Sequence, residues 1–174
     1  MTMIRKQAEN IASVLSEGLP YIQRFYGKTI VIKYGGAAMA KPSLKRGFAR
    51  DIALMKLVGM NPVIIHGGGP QIDRELKKHG LQTKFVSGFR ITDPKTMKIV
   101  RRVLGKEINR EIVDLIQKNG AKAFSMTRLN RTIIKASKLK TDDGIELGLV
   151  GKVSSIKNTE INFSVAERGV HLLQ

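Results

Sequence analysis

The chain has 174 residues, with 31 Lys and Arg against 14 Asp and Glu, and no cysteine. That length supports one domain with a real core; the missing cysteines exclude a disulfide framework and thiolate metal sites, and no apolar run approaches the length of a membrane span. The net charge of +17 favours anionic partners, but the basic residues are dispersed, and with six Phe, three Tyr and no Trp there are few aromatic platforms for a single strand. A solvated basic surface is therefore the reading, and neither nucleic acid nor membrane is expected as a partner. The first residues, Met-Thr-Met-Ile-Arg-Lys, carry no signal-peptide core, and Glu9 and Glu17 speak against a transit peptide, so a cytoplasmic protein is expected.

In chain order, Ile4, Ala8, Ile11 and Leu15 fall on one face of an amphipathic helix over residues 3–17, which Gly18 and Pro20 end. It precedes the first strand, so it either covers the core or packs on another subunit. Residues 28–34 form the first strand. Their β-branched run predicts burial on both faces of a parallel sheet. The strand ends in Gly35-Gly36-Ala37-Ala38, and a helix from Pro42 to Val58 follows. Strand 62–65 leads to His66, then Gly67, Gly68 and Gly69, and a helix opens at Pro70 and stops at Gly80.

Strand, glycine loop and helix thus occur twice in succession. Right-handed crossovers bring both loops out at the carboxyl end of one sheet, where open α/β sheets bind ligands. Glycines admit close backbone approach, and a helix start offers free N–H groups and a positive dipole end. Gly35, Gly36 and Gly67 to Gly69 are accordingly candidates for holding a small anion or a phosphoryl group in transfer. A plain tight turn is the blander alternative. His66 reads as a packed or hydrogen-bonded strand-end residue rather than a base. Lys33, beside the first loop, is poorly placed for solvent and fits a role in neutralising phosphate charge, or else snorkels from the sheet end.

Arg90 sits in an apolar frame near a turn, as a bidentate carboxylate clamp or a structural ion pair. Thr92 or Asp93 caps a long helix from Pro94 to Lys118, with Met97, Val100, Leu104, Ile108, Ile112 and Leu115 or Ile116 on its apolar face. Beyond it, strands are expected over 121–126, 131–136 and 148–154, with a turn at 142–144 and a short helix over 158–168. Residues 169–174 read as a buried strand.

Lys33-Tyr34-Gly35-Gly36-Ala37-Ala38-Met39, the stretch from Asn61 to Asp73, Gly88-Phe89-Arg90-Ile91-Thr92-Asp93, and Glu146 through Val153 occur together in the order and spacing of a known family. Over about residues 28–155 the chain resembles the N-acetyl-L-glutamate kinases of the amino acid kinase family. The resemblance implies a mostly parallel sheet sandwiched by helices in three layers. It implies a helical extension over 1–27 followed by the amino-acid-substrate lobe over 28–174. The implied activity is phosphorylation of the side-chain carboxylate of N-acetyl-L-glutamate by ATP with magnesium. Lys33 matches the lysine that stabilises the transferring phosphoryl group, Gly68 and Gly69 match backbone positions that hold acetylglutamate, and Arg90 matches the arginine that binds its α-carboxylate. No resident metal is implied. The N-terminal helix resembles one that interlaces dimers into hexamers, so a homo-oligomer is expected. The family's Gly-Leu-Ser-Gly-Lys-Asp loop is replaced by Ser125-Met126-Thr127-Arg128-Leu129-Asn130. The nucleotide-binding half follows in the family and is expected to be missing here, leaving the isolated chain inactive or weakly active.

Overall fold

The computed structural model describes residues 2–126, 134–141, 143–157 and 169–173. Helix α1 (Thr2–Phe25) leads to strand β1 (Thr29–Tyr34), a 3-10 turn (Gly36–Met39) and helix α2 (Pro42–Leu57). Strand β2 (Asn61–His66), helix α3 (Gly69–Lys78) and a hairpin of β3 (Phe85–Val86) with β4 (Phe89–Arg90) follow. Helix α4 (Pro94–Arg102) passes through a π-helical turn (Val103–Ile108) into α5 (Asn109–Lys118). Strand β5 (Ala123–Ser125), a long hairpin of β6 (Ile134–Lys140) with β7 (Glu146–Ile156), and β8 (Val170–Leu173) complete the chain. The helix expected over 158–168 and most of the replaced loop at 125–130 lie outside the described residues.

The main sheet has the order β1-β2-β8-β5, and every pair in it is parallel. The expected α/β class, a mostly parallel sheet packed by helices, is what the chain adopts. The steps from β1 to β2 and from β2 to β5 run the same way across the sheet. Right-handed crossovers then put their helices on one face. There Ile52, Leu76, Ile112 and Ile116 meet Tyr34, Ile64, Val170 and Leu172 in a single buried cluster. Tyr34 stacks on Phe48 with ring centroids 3.7 Å apart.

Burial of β1 on both faces is not found. β1 is the edge strand, and its residues alternate between half-buried and exposed, with Val31 63% exposed. The described helices cover only the face of Ile32 and Tyr34. Val31, Lys33, Ile65 and Phe124 look the other way and are exposed, while Val63 and His171 on that same face are buried.

Helix α1 also runs past its expected end, through Gly18 and Pro20. Proline removes a donor and leaves one carbonyl unpaired. Here the helix is exposed over residues 4–17, so water takes that carbonyl. Among the described residues, hydrogen bonds tie down the base of α1. Gly27 N donates to Gly59 O at 2.8 Å, Asn61 Nδ2 to Gly27 O at 3.0 Å, and Lys56 Nζ to Asn61 Oδ1 at 2.8 Å.

The long helix after Pro94 has the expected bounds and, from Ile108 onward, the expected buried face, but a different face before it. Its core side chains are Thr96, Ile99 and Val103, then Ile108, Ile112 and Ile116. The five-residue step from Val103 to Ile108 is the signature of a π turn. A uniform helical period misses it and selects Met97, Val100 and Leu104, which are half-buried.

Ile64 is fully buried at the centre of the sheet. Ile64→Ala is expected to cost roughly 2–5 kcal/mol through lost transfer energy and the cavity left behind, read as a lower midpoint in urea denaturation.

Candidate functional site

Register levels the ends of β1 and β2: Lys33 pairs with Ile65 and Tyr34 with His66, and Gly67 N donates to Tyr34 O at 3.0 Å. The two glycine loops leave the sheet side by side. Gln71 Nε2, on the first turn of α3, donates to Gly36 O at 3.3 Å. A Cβ on Gly36 would stand 2.8 Å from Pro70 Cδ and 3.2 Å from Gly69 N. A Cβ on Gly68 would stand 2.4 Å from Ile108 Cδ1 and 2.8 Å from Leu104 Cδ2, side chains of the π turn. Close packing therefore explains Gly36 and Gly68. It does not explain Gly35 and Gly69, where no atom lies within 4 Å of the place a side chain would take. No side chain caps α3, so its first N–H groups and positive dipole end stay available at the loop.

Behind the loops, His66 is buried. Asn109 Nδ2 lies 3.1 Å from its Nε2, and Gly67 O lies 3.2 Å from its Nδ1. An amide nitrogen only donates, so Nε2 accepts and the ring proton sits on Nδ1. Burial pushes the imidazole below its ordinary pKa, against a smaller opposing effect of the Gly67 carbonyl. His66 is thus the packed, hydrogen-bonded strand-end residue anticipated from sequence. Asn109 was not anticipated; its only signal is a polar residue at the start of α5, where the π turn rotates it inward.

Lys33 is not withheld from solvent. It lies on the open face of the edge strand and is exposed, because the described helices gather on the opposite face.

Arg90 is held by an arrangement built from several of the sequence motifs. Ser87 and Gly88 both have positive φ, 49° and 80°, the combination of a two-residue hairpin turn of type I′. That turn pairs Arg90 with Phe85. The guanidinium lies 4.7 Å from the centre of the Phe85 ring, and its Nη1 donates to Asp73 Oδ1 at 2.6 Å and to Thr83 Oγ1 at 3.1 Å. Its side chain is only 13% exposed. Arg90 therefore forms an ion pair with Asp73. The Arg90 hydrogen bond holds the Asp73 carboxyl below the usual carboxylate range. Asp73, Thr83 and Phe85 also line an open groove of about 500 Å3 with Lys77, Leu81 and Gln82.

The strand beyond Arg90 is clamped to β7. Thr92 N donates to Leu147 O at 3.0 Å and Leu149 N to Thr92 O at 2.7 Å. Gly148 makes this possible: its φ is +74°, and a Cβ there would stand 2.3 Å from Thr92 O. Asp93 then caps α4 through Thr96 N at 2.7 Å. Arg102 on α4 donates to Glu75 on α3 at 2.7 Å, closing the frame. Asp73 lies four residues after Gly69, about one helical turn, so the Arg90 pair sits close to the glycine loop. Among the described residues no group of His, Asp or Glu side chains could hold a metal ion, and no helix is long and apolar enough to cross a membrane.

Two outcomes follow from this geometry. The depressed His66 pKa gives a stabilising term that is fully present above the unfolded value of about 6.5 and is lost as pH falls through the folded value. Denaturation midpoints should therefore drop between neutral and mildly acidic pH, and His66→Gln should flatten that drop. Gly148→Ala meets backbone rather than a movable side chain and is expected to cost about 2 kcal/mol or more, measured in urea.

Residues 28–173 match the amino acid kinase family. The acetylglutamate kinase of Hydrogenovibrio crunogenus is 52% identical over 170 residues, which are 92% of this chain and 57% of that protein. That of Ruthia magnifica subsp. Calyptogena magnifica is 54% identical over 88% of this chain and 53% of its own length. The chain thus spans a little over half the length of the curated relatives it matches. Among solved structures, N-acetylglutamate synthase from Neisseria gonorrhoeae, complexed with coenzyme A and N-acetyl-glutamate, superposes with a TM-score of 0.78 at 20% identity, over 92% of this chain and 36% of that one. This is a likeness of fold. The structure of smu.665 from Streptococcus mutans UA159 superposes with a TM-score of 0.73 at 26% identity, over 83% of this chain and 57% of that one. On the family match, the parallel sheet and the paired glycine loops together, the chain belongs to the amino acid kinase family.

Proposed function

We propose that this chain is the amino-acid-substrate lobe of an acetylglutamate kinase of arginine biosynthesis, and that it binds N-acetyl-L-glutamate at the carboxyl edge of its sheet. The observation that carries the reading is the meeting of Gly36 with Gly69 and Pro70 beside the ion-paired Arg90, in a chain 52% to 54% identical to acetylglutamate kinases. In the reading, residues 1–27 are a helical extension and 28–174 the substrate lobe; the family match begins at residue 28.

The backbone of Gly68 and Gly69 holds the acetylglutamate. Arg90 pairs with its α-carboxylate. Gly35, Gly36 and Gly67 shape the place where the phosphoryl group passes. Lys33 neutralises the charge that builds on that group; an exposed lysine on the open sheet face keeps the reach this requires. The side-chain carboxylate oxygen of acetylglutamate attacks the γ-phosphorus of ATP, the bond to the bridging oxygen breaks, and an acyl phosphate and ADP result. Such transfer rests on position and positive charge rather than on covalent chemistry by the protein. Magnesium enters as the companion of ATP, with no ligand assigned to it in this lobe. The nucleotide side belongs to the part of the relatives that this chain does not match, so the chain by itself transfers phosphoryl groups weakly or not at all. The protein is read as cytoplasmic.

A second reading, a non-catalytic acetylglutamate-binding or assembly fragment, draws on α1. Its Ile4, Ile11 and Leu15 are 75%, 62% and 65% exposed, an apolar stripe that fits a homo-oligomer, either a dimer or a hexamer joined through this helix.

Calorimetric titration of N-acetyl-L-glutamate into the purified chain tests the reading, with glutamate as control. Saturable, acetyl-selective binding is expected, weakened at least about tenfold in Arg90→Ala, the scale of a lost charged hydrogen bond. With ATP and magnesium added, little ADP should form. No binding by a well-folded chain would overturn the substrate assignment, and robust turnover would overturn the division of labour between lobes.

A further inference from the structure

The hydrogen bonds of Arg90 are distributed unevenly over its guanidinium. A guanidinium offers five N–H donors and two edges that can grip a carboxylate in parallel. Asp73 Oδ1 and Thr83 Oγ1 both take Nη1, at 2.6 Å and 3.1 Å, and Thr83 Oγ1 in turn donates to Asp73 Oδ1 at 3.1 Å. Phe85 supports the plane from one side at 4.7 Å. Among the described residues, Nε and Nη2 have no partner. The contacts thus fix the group in position and orientation while leaving its side-on edge unused. A carboxylate evolved only to neutralise Arg90 would more economically take an edge with both oxygens; Asp73 takes one nitrogen with one oxygen.

We infer that Asp73 is a positioning residue for carboxylate recognition: it holds Nη1 so that the Nε–Nη2 edge of Arg90 is presented, already oriented, to the α-carboxylate of the substrate. The inference rests on the proposed role of Arg90 and adds a residue and a direction to it. Long, flexible side chains lose conformational freedom when a ligand orders them. Here that loss is met in advance by Asp73, Thr83 and Phe85. The pair also ties the hairpin of β3 and β4 to the first turns of α3, so the presented edge keeps its place relative to the glycine loop. Because the gain is in orientation, a neutral acceptor of the same shape should preserve it. The role belongs to Asp73 Oδ1 as an acceptor and only secondarily to its charge.

The test compares two ligands that differ by one group, N-acetyl-L-glutamate and 4-acetamidobutyrate, which lacks the α-carboxylate. Affinities for both are measured by calorimetry on the 174-residue chain and on Arg90→Ala, Asp73→Ala, Asp73→Asn and Thr83→Val, each checked by thermal melting. The chain should prefer acetylglutamate, and Arg90→Ala should abolish the preference. Asp73→Ala should reduce it by at least about tenfold while leaving 4-acetamidobutyrate nearly unchanged, and Asp73→Asn should largely restore it. If the unaltered chain shows no preference, or Arg90→Ala keeps it, the role of Arg90 fails and the inference fails with it. If Arg90→Ala removes the preference but Asp73→Ala retains or strengthens it, Asp73 is a competitor or a bystander, and only the inference is overturned. Equal weakening of both ligands in Asp73→Ala marks a merely structural residue and also overturns it. Should Asp73→Ala fail to fold, Thr83→Val carries the decision: selective loss supports the positioning role, and full preference refutes it.

Discussion

A Cβ at Gly36 would stand 2.8 Å from the Pro70 ring, and one at Gly68 would stand 2.4 Å from Ile108. At Gly36 the carboxyl edge of the sheet depends on backbone lying against the start of α3 more closely than a side chain allows, and at Gly68 it lies against two side-chain ends. β1 and β2 end level because they are paired in register through Tyr34 and His66. A methyl group on Gly36 would press on the Pro70 ring and the backbone at the start of α3, whereas one on Gly68 would press on the movable ends of Ile108 and Leu104. The buried His66–Asn109 pair supports the second loop from below, and the π turn closes on it from the side. One crowded point therefore sets the position of a helix N-terminus, two loops and a long helix.

The Arg90 frame applies a different physical principle to the same end. A cation only 13% exposed is costly unless its donors are met. Aromatic support, a hydroxyl and a carboxylate meet part of that demand at one nitrogen. The backbone clamp between Thr92 and Gly148 fixes the strand that bears it. Excess positive charge over the molecule lowers the energy of any anion approaching this edge, but the local frame decides where such an anion can be gripped.

Much of this was legible in the residues. The run Thr29 to Tyr34, the glycine pairs and Pro70 define strand, loop and helix by local chemistry, and the right-handed crossover rule carries them to a common edge. What could not be read came from long-range arrangement. The exposure of Val31 and Lys33 depends on β1 being an edge strand covered on one face, and strand order is not written in the local pattern. Asn109 turns inward only because the π turn shifts the helical phase. Helix α1 continues through Pro20 because its surface there is largely open to water, which can take the carbonyl that the proline leaves. The Asp73–Arg90 pair joins residues 17 apart that neither a motif nor a period connects.

The five-residue step in the long helix places the chain under a constraint of phase. A π turn holds one residue more than an α-helical turn, and here the extra residue is absorbed between Val103 and Ile108 without breaking the buried face. Deleting one residue there would leave a four-residue step, the ordinary α-helical spacing, and Thr96, Ile99 and Val103 would stay on the face of Ile112 and Ile116. Inserting one more would turn them away by about 100°. The segment therefore tolerates shortening better than lengthening, and a shortened helix would lose the bulge that presses Leu104 and Ile108 toward Gly68.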